Sequence, residues 1–360
     1  MVAALGWVTG LTSWQLAAGG RLVVVPALAL AALAQSLATG WRPTACVAVA
    51  SVGAVALLSA RAGDASTVNG LARIAGAGGL GGFAVANAVL RLRRERRIRR
   101  VAEVAAIAQA TIMRPVRARI GPWELASRYE SATAEALIGG DFFDVVDTTA
   151  GVRIIIGDVR GKGLPAVRTA ATALAGFREH AAHPELTLPQ VATAVEARLA
   201  AVLGEEDFVT VLVCELLGCG RFSVVNCGHH PPLLLSPGRS PVLLSAEATS
   251  PPLGLGAAPA VSQFEVWPGD RLLLYTDGLV EARNRRGTFL DLARASTTVG
   301  NGGVPVDRAL GDLVDLVHRH SGGDLSDDLC LLLIQVKDPA GVPVDGGRVP
   351  VGSEQGGRRW

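Results

Sequence analysis

The stretch RIIIGDVRGKGLPAV, residues 153–167, sets an apolar β-branched run directly against Asp158 and a loop holding Gly161 and Gly163. Three consecutive isoleucines read as a strand with both faces covered. A carboxylate at the end of such a strand loses hydration, which is costly unless something pairs with it. The juxtaposition recurs. LIGGDFFDVV carries Asp141 and Asp144, LLLYTDGLVEA carries Asp277, and GGDLSDDLCLLLIQV carries Asp324, Asp327 and Asp328. Each reads as an apolar run with Asp in the adjoining turn. A single Asp-Gly pair is ordinary turn chemistry, but four such sites with similar flanks suggest carboxylates converging at one sheet edge. A convergent acidic cluster repels itself unless cations neutralise it, and hard oxygen donors suit Mg2+ or Mn2+ rather than zinc.

Rival motifs fail on spacing. GDVRGKG has three residues between Gly157 and Gly161, and Gly163 rather than Ser or Thr after Lys162, so it is not a P-loop. The chain contains no HExxH and no GxSxG. Working outward, strands are expected at 124–129, 152–157, 208–216, 221–226, 232–235, 271–275 and 329–336, and helices at 163–182, 188–203 and 305–319, the second capped by Thr187. Strands grouped around a few helices predict an α+β fold with sheets inside and helices outside. Residues 338–360, rich in Gly, Pro and polar residues, read as a disordered tail.

The N-terminal part has a different composition. Segments 22–39, 44–60 and 71–90 approach bilayer-spanning length, and residues 1–19 read as a fourth, without the basic start or cleavage site of a signal peptide. RLRRERRIRR at 91–100, seven Arg with one Glu, follows the last segment and reads as a positive-inside anchor that places the remainder in the cytoplasm. GAGGLG at 76–81 matches a nucleotide-binding spacing, but no strand precedes it; small residues such as Gly78 and Gly82 instead suit helix–helix approach. Residues 101–113 continue as a helix, open to use as a lever, a homodimer contact or a plain spacer. The domain plan is therefore a transmembrane region of three or four helices (1–90), an Arg-rich juxtamembrane and helical linker (91–122), a globular domain (123–337) and the tail (338–360).

The formal charge of +2 hides a split: eleven Lys+Arg face two Asp+Glu in residues 1–100, and 23 face 30 in 101–360. The acidic larger part shows no basic stripe, which argues against nucleic acid as a partner. Cys46, Cys214, Cys219, Cys227 and Cys330 form no CxxC pair and read as reduced, buried thiols. A transporter would need functional polar residues in its spans, and residues 22–60 offer almost none beyond Gln35 and Arg42, which argues against one.

GGDFFDV, GDVRGKGLPA, FVTVLVCEL, NCGHHPPLLL, PLGLG, GDRLLLYTDGLVEARN and DLSDDLCLLLIQV occur in that order across residues 120–336. In this order they resemble the stage II sporulation protein E-type serine phosphatases, members of the metal-dependent (2C-type, PPM) protein phosphatases. The resemblance implies a β-sandwich flanked by helices with two divalent cations, Mn2+ or Mg2+, at one edge. It implies that Asp141, Asp158, Asp277 and Asp327 bind metal, with the Val159 carbonyl as a further ligand. Asp158 and Asp277 are the implied catalytic centre and Asp158 the bridge between the ions. Gly140, Gly161, Lys162, Asn226, His229, Gly278 and Asp328 remain as substrate or loop contacts. His229 either protonates the leaving serine or shapes its loop with Asn226, or else is a loop histidine satisfied by backbone groups, the last reading being preferred; Lys162 either meets substrate phosphate or sits in solvent beside acids. Phe143 stands where the family usually has Tyr, Cys227 for Ala, His230 for Asn or Pro, and Arg160 for a smaller or apolar residue. None removes an implied ligand.

The implied function is a membrane-anchored serine/threonine phosphoprotein phosphatase, hydrolysing phosphoserine by metal-activated water. Its implied substrate is a STAS-type anti-sigma-factor antagonist in a partner-switching pathway. The alternative is a catalytically inactive phosphatase-fold scaffold or sensor.

Overall fold

The computed structural model describes residues 2–18, 25–131, 139–218, 220–246, 250–256, 258–300, 302–323 and 325–337. Asp324, Cys219 and the tail 338–360 lie outside them. The chain divides into two compact units, Met1–Arg100 and Val101–Trp360.

The first unit holds helices α1 (Val2–Ala18), α2 (Val25–Ala38), α3 (Trp41–Arg61) and the first part of α4 (Val68–Ile112), within which the division falls. Among the described residues, α3 and the Val68–Ile98 part of α4 are long and apolar enough to cross a membrane; α1 and α2, at 17 and 14 residues, are shorter than the ~20 residues a crossing needs. The helices meet through small residues, but at a different glycine from those expected. A Cβ on Gly81 would lie 3.0 Å from the Ala48 Cβ of α3, whereas Gly78 and Gly82 face open space.

In the second unit, the strands are β1 (Arg119–Ile120), β2 (Trp123–Glu130), β3 (Phe142–Asp147), β4 (Gly151–Val159), β5 (Val209–Leu217), β6 (Arg221–Cys227), β7 (Leu233–Leu235), β8 (Val242–Leu243), β9 (Val261–Glu265), β10 (Arg271–Tyr275) and β11 (Leu329–Val336). They form two antiparallel sheets, ordered β1-β2-β11-β10-β7-β8 and β3-β4-β5-β6-β9. Helices α5 (Leu164–Ala181) and α6 (Leu188–Leu199) cover the second sheet. Helices α7 (Asp277–Val280), α8 (Leu292–Val299) and α9 (Val306–Ser321) contribute to the core on the first.

Period-two alternation explains this four-layer sandwich. Ile154 and Ile156 of β4 point between the sheets, against Leu272, Leu332 and Ile334. Ile155, one position out of phase, joins Phe177 and Val191 under α5 and α6. Central strands are thus covered twice, and their sequences read as continuous apolar runs. All three isoleucines are fully buried, each worth about 1.5–3 kcal/mol of burial. The helices start where proline is tolerated: Pro165 and Pro189 both lie in a first turn, where a missing N–H costs nothing. Gln190 Oε1 accepts from both the backbone N–H and the hydroxyl of Thr187, at 2.8 and 2.9 Å, closing the start of α6.

The structure corrects several expectations. The segment after Gly140 is an edge strand, β3, rather than a turn, and Asp158 lies inside β4, opposite Thr210, rather than in the loop beyond it. Helix α6 ends at Leu199, four residues short, because the chain turns at Ala200 ahead of Gly204. Strands β1, β8 and β9 and helices α7 and α8 are additional. Cys214, Cys227 and Cys330 are buried and reduced as expected, while Cys46 is exposed on α3.

Candidate metal centre

The two sheets each deliver acidic residues to one end of the sandwich. On the second sheet, Asp141 immediately precedes Phe142, which pairs with Gly157, so Asp141 lies beside Asp158 on the adjacent strand. On the first, β10 ends at Tyr275 opposite Leu331, which brings Thr276 and Asp277 beside the start of β11 and the Asp327–Asp328 pair. Asp141, Asp158 and Asp277 meet: one carboxylate oxygen from each lies within 4.8 Å of the others.

Close backbone approach makes this convergence feasible. A Cβ on Gly140 would come within 2.4 Å of the Val159 carbonyl oxygen, and one on Gly278 within 1.9 Å of the Asp328 oxygen. Only glycine fits either position. The Val159 N–H also donates to the Gly140 carbonyl at 3.3 Å, so the Val159 backbone lies directly against the residue before Asp141.

The other acids do different things. Asp327 is outside the three-carboxylate group; its Oδ1 accepts from Lys162 Nζ at 2.9 Å and from the Asp328 N–H at 3.0 Å. Lys162 is therefore paired with an acid, half-exposed. Asp328 is a brace: it accepts from the Tyr129 hydroxyl, from Ser131 Oγ at 3.2 Å and from the Gly139 N–H at 2.9 Å. Asp144, read from the sequence as part of the constellation, faces away and is ion-paired with Arg178.

Three residues to which sequence reasoning assigned no role support Asp141 or the cleft. The Thr276 hydroxyl donates to Asp141 Oδ2 at 2.6 Å and accepts from the Cys330 N–H at 3.0 Å, which aims its proton at the carboxylate. Its place beside Asp277 in TDG was the available signal. Gln109, buried on α4, donates from Nε2 to the Asp141 carbonyl at 2.8 Å; 32 residues away, it left no sequence signal. The His230 ring stacks on Tyr275 with centroids 5.7 Å apart.

Electrostatics sets these carboxyls apart. Burial, and next the charge of Asp158, push the Asp141 carboxyl well above its ordinary range, against the opposing Thr276 hydrogen bond. Burial, then Asp277 and Asp327, push Asp158 up to about 7. Burial and Asp327 also raise Asp277. Without a cation, the group holds protons that isolated carboxyls would release. An all-oxygen donor set with this excess of negative charge fits a hard divalent cation, which would reverse those shifts.

Asp158 and Asp277 also line an open cleft of about 360 Å3, together with Arg160, Phe208, Thr210 and His230. Gly161 and His229 complete its lining. The His229 N–H donates to Asn226 Oδ1 at 2.8 Å, Asn226 Nδ2 returns a bond to the His229 carbonyl at 2.9 Å, and the ring Nδ1 meets Thr210 Oγ1 at 3.1 Å. Burial, then the neighbouring His230, push the His229 pKa down to about 3. A neutral imidazole locked into its own loop is a poor proton donor near pH 7.

Comparisons with known proteins bear on the family and the fold. Residues 148–337 match the family model of stage II sporulation protein E (SpoIIE). The phosphoserine phosphatase RsbU of Bacillus subtilis (strain 168) is 27% identical over 160 residues, covering 43% of this chain and 46% of that protein. The chain thus matches about half the length of that relative. The solved RsbU and RsbW domains of a Mycobacterium tuberculosis protein superpose with a TM-score of 0.53 at 27% identity, over 61% of each chain. The SiaA-PP2C domain of Pseudomonas aeruginosa gives a TM-score of 0.57 at 16% identity, over 69% of this chain and 99% of that one, a likeness of fold.

Proposed function

The chain belongs to the stage II sporulation protein E (SpoIIE) family, and from that premise we propose that it is a metal-dependent protein serine/threonine phosphatase. The observation that carries the reading is the meeting of Asp141, Asp158 and Asp277, from both sheets, within 4.8 Å. These three, with the Val159 carbonyl and with Asp327 once it leaves Lys162, are the proposed ligands of two divalent cations, Mn2+ or Mg2+. When bound, the cations supply Lewis acidity, activating water and neutralising phosphoryl charge.

The protein's own residues hold and shape the centre. Thr276 fixes the direction of the Asp141 carboxylate, and Asp328 fixes Gly139 two residues before it. Gly140 and Gly278 permit the close backbone approach. The cleft beside Asp158 and Asp277 admits a protruding phosphorylated segment rather than enclosing a small molecule. Arg160 and His230 line the same cleft and are placed to meet the substrate around its phosphoserine.

The proposed substrate is a phosphoserine on an anti-sigma-factor antagonist of STAS type, a reading supported by the likeness to RsbU. The apolar α3 and α4 are proposed as membrane spans. The arginines at 91–100 then place the phosphatase domain, 123–337, on the cytoplasmic side. The test is phosphate release from a phosphoserine protein by the full chain in neutral detergent. Turnover with Mn2+ or Mg2+ and none in excess chelator is expected; equal turnover in chelator would sink the reading.

A further inference from the structure

Within residues 1–100, a second cleft of about 390 Å3 is lined by Trp41, Val89, Leu92, Arg93 and Arg96. Positions 89, 92, 93 and 96 recur at three- and four-residue intervals and share one face of α4. Trp41, the first residue of α3, forms the opposite wall. Gly40 before it packs on the same face, its Cβ position 3.8 Å from Leu92 Cδ1.

The cleft is graded along its length. Val89, Leu92 and the indole make an apolar half; Arg93 and Arg96 make a cationic one. From Val89 to Arg96, α4 rises about 10 Å, enough to cross the interfacial layer on one side of a bilayer, about 5–8 Å thick, and reach the edge of the hydrocarbon. The one acid in the run, Glu95, is held by Arg91 at 3.1 Å, and Arg91 also donates to the Thr39 carbonyl at 2.8 Å. Arg91 and Glu95 therefore compensate each other and tie α4 to the turn before α3. Among the described residues no carboxylate lies at ion-pair distance from Arg93 or Arg96. Arg42 adds a third cation over the Trp41 ring, 5.5 Å from its centroid.

We propose that this cleft binds one anionic phospholipid, with its phosphodiester between Arg93 and Arg96 and the upper acyl chain against Val89, Leu92 and Trp41. Planar guanidiniums pair with phosphate in a fixed, forked geometry. The apolar half favours a lipid over free phosphate. The inference rests on α3 and α4 lying in a bilayer.

The full chain is reconstituted into nanodiscs of dioleoylphosphatidylcholine doped with phosphatidylglycerol or phosphatidylcholine, either one brominated on its acyl chains. Quenching assigned to Trp41, as the difference from a Trp41→Phe variant, is read at equal mole fraction. Brominated phosphatidylglycerol is expected to quench in excess of brominated phosphatidylcholine. Each guanidinium removed in Arg93→Gln and Arg96→Gln should weaken the preference about fivefold. The pair Arg94→Gln and Arg97→Gln, the same charge change away from the cleft, should keep it. Equal quenching by the two lipids, or equal loss in both variant pairs, would show general attraction to an anionic surface and overturn the site. Loss of the excess on adding inorganic phosphate would assign the cleft to a free anion. No quenching of Trp41 by either lipid would remove α3 and α4 from the bilayer, and the site with them.

Discussion

Two regions of the globular unit handle buried charge in opposite ways. Inside the fold, Arg153 pairs with Glu215 at 2.8 Å and donates to the carbonyls of His183 and Leu186 at 2.8 and 2.6 Å. Arg271, fully buried, donates to the Val299 carbonyl at 2.7 Å and to Gln335 Oε1 at 2.9 Å. Arg153 has a counter-charge within the chain, and Arg271 has neutral oxygen acceptors for its terminal nitrogens, although its Nε has no partner among the described residues. At the sandwich edge, Asp141, Asp158 and Asp277 crowd together, and the nearest matched lysine, Lys162, pairs with Asp327 instead. The buried guanidiniums find most of their partners inside the fold, whereas the carboxylates at the edge carry negative charge that a cation from outside would balance.

The contrast is sharpest under substitution. Asp158→Asn keeps the shape but removes a carboxylate from the group. Phosphatase turnover should fall roughly a thousandfold, measured as phosphate release at saturating Mn2+. A near-wild-type rate would remove Asp158 from the centre. At the matched site the effect should fall on the fold instead. Arg153→Ala leaves Glu215 and the carbonyls of Ala181, His183 and Leu186 without their donor, and should cost about 3 kcal/mol, read as a lowered denaturant midpoint with little change in turnover per folded molecule.

A smaller effect gives the sign of the imbalance. The folded-state pKa of Asp158, about 7, lies above its unfolded value of about 3.9. Without metal, the folded chain therefore binds more protons than the unfolded one between those limits, and stability from this group falls as pH rises through the window. Asp158→Asn should thus match wild type near pH 4, gain thermal stability over it up to pH 7, and hold a constant gain of about ten degrees above. Saturating Mn2+ should cancel that gain. Thermal melts of the two proteins in chelator, compared across pH, isolate the group from the opposing histidines.

The fold was legible where apolar runs and burial agree, as in β4, β5, β10 and β11. It was hidden where tertiary contacts decide. Strand β3 reads as a turn because GGD and the acids Asp144 and Asp147 surround two phenylalanines, and only pairing with β4 makes it extended. Edge strand β9 covers one face, so VSQFE carries too few apolar residues to signal itself. At the site, strand-end acids announced Asp141, Asp158 and Asp277. Local sequence could not tell Asp327, held by Lys162, from Asp328, held by Tyr129, because the distinction is made by side chains some 165 and 199 positions distant.

The central claim is that three carboxylates from two sheets form one cation site. Equilibrium Mn2+ binding to the full chain, followed by loss of the free-ion paramagnetic resonance signal at pH 8, tests it most directly. Stoichiometric uptake by wild type, lost together in Asp141→Asn, Asp158→Asn and Asp277→Asn but kept in Asp144→Asn, is the expected result. Unchanged uptake in those three variants would contradict the account.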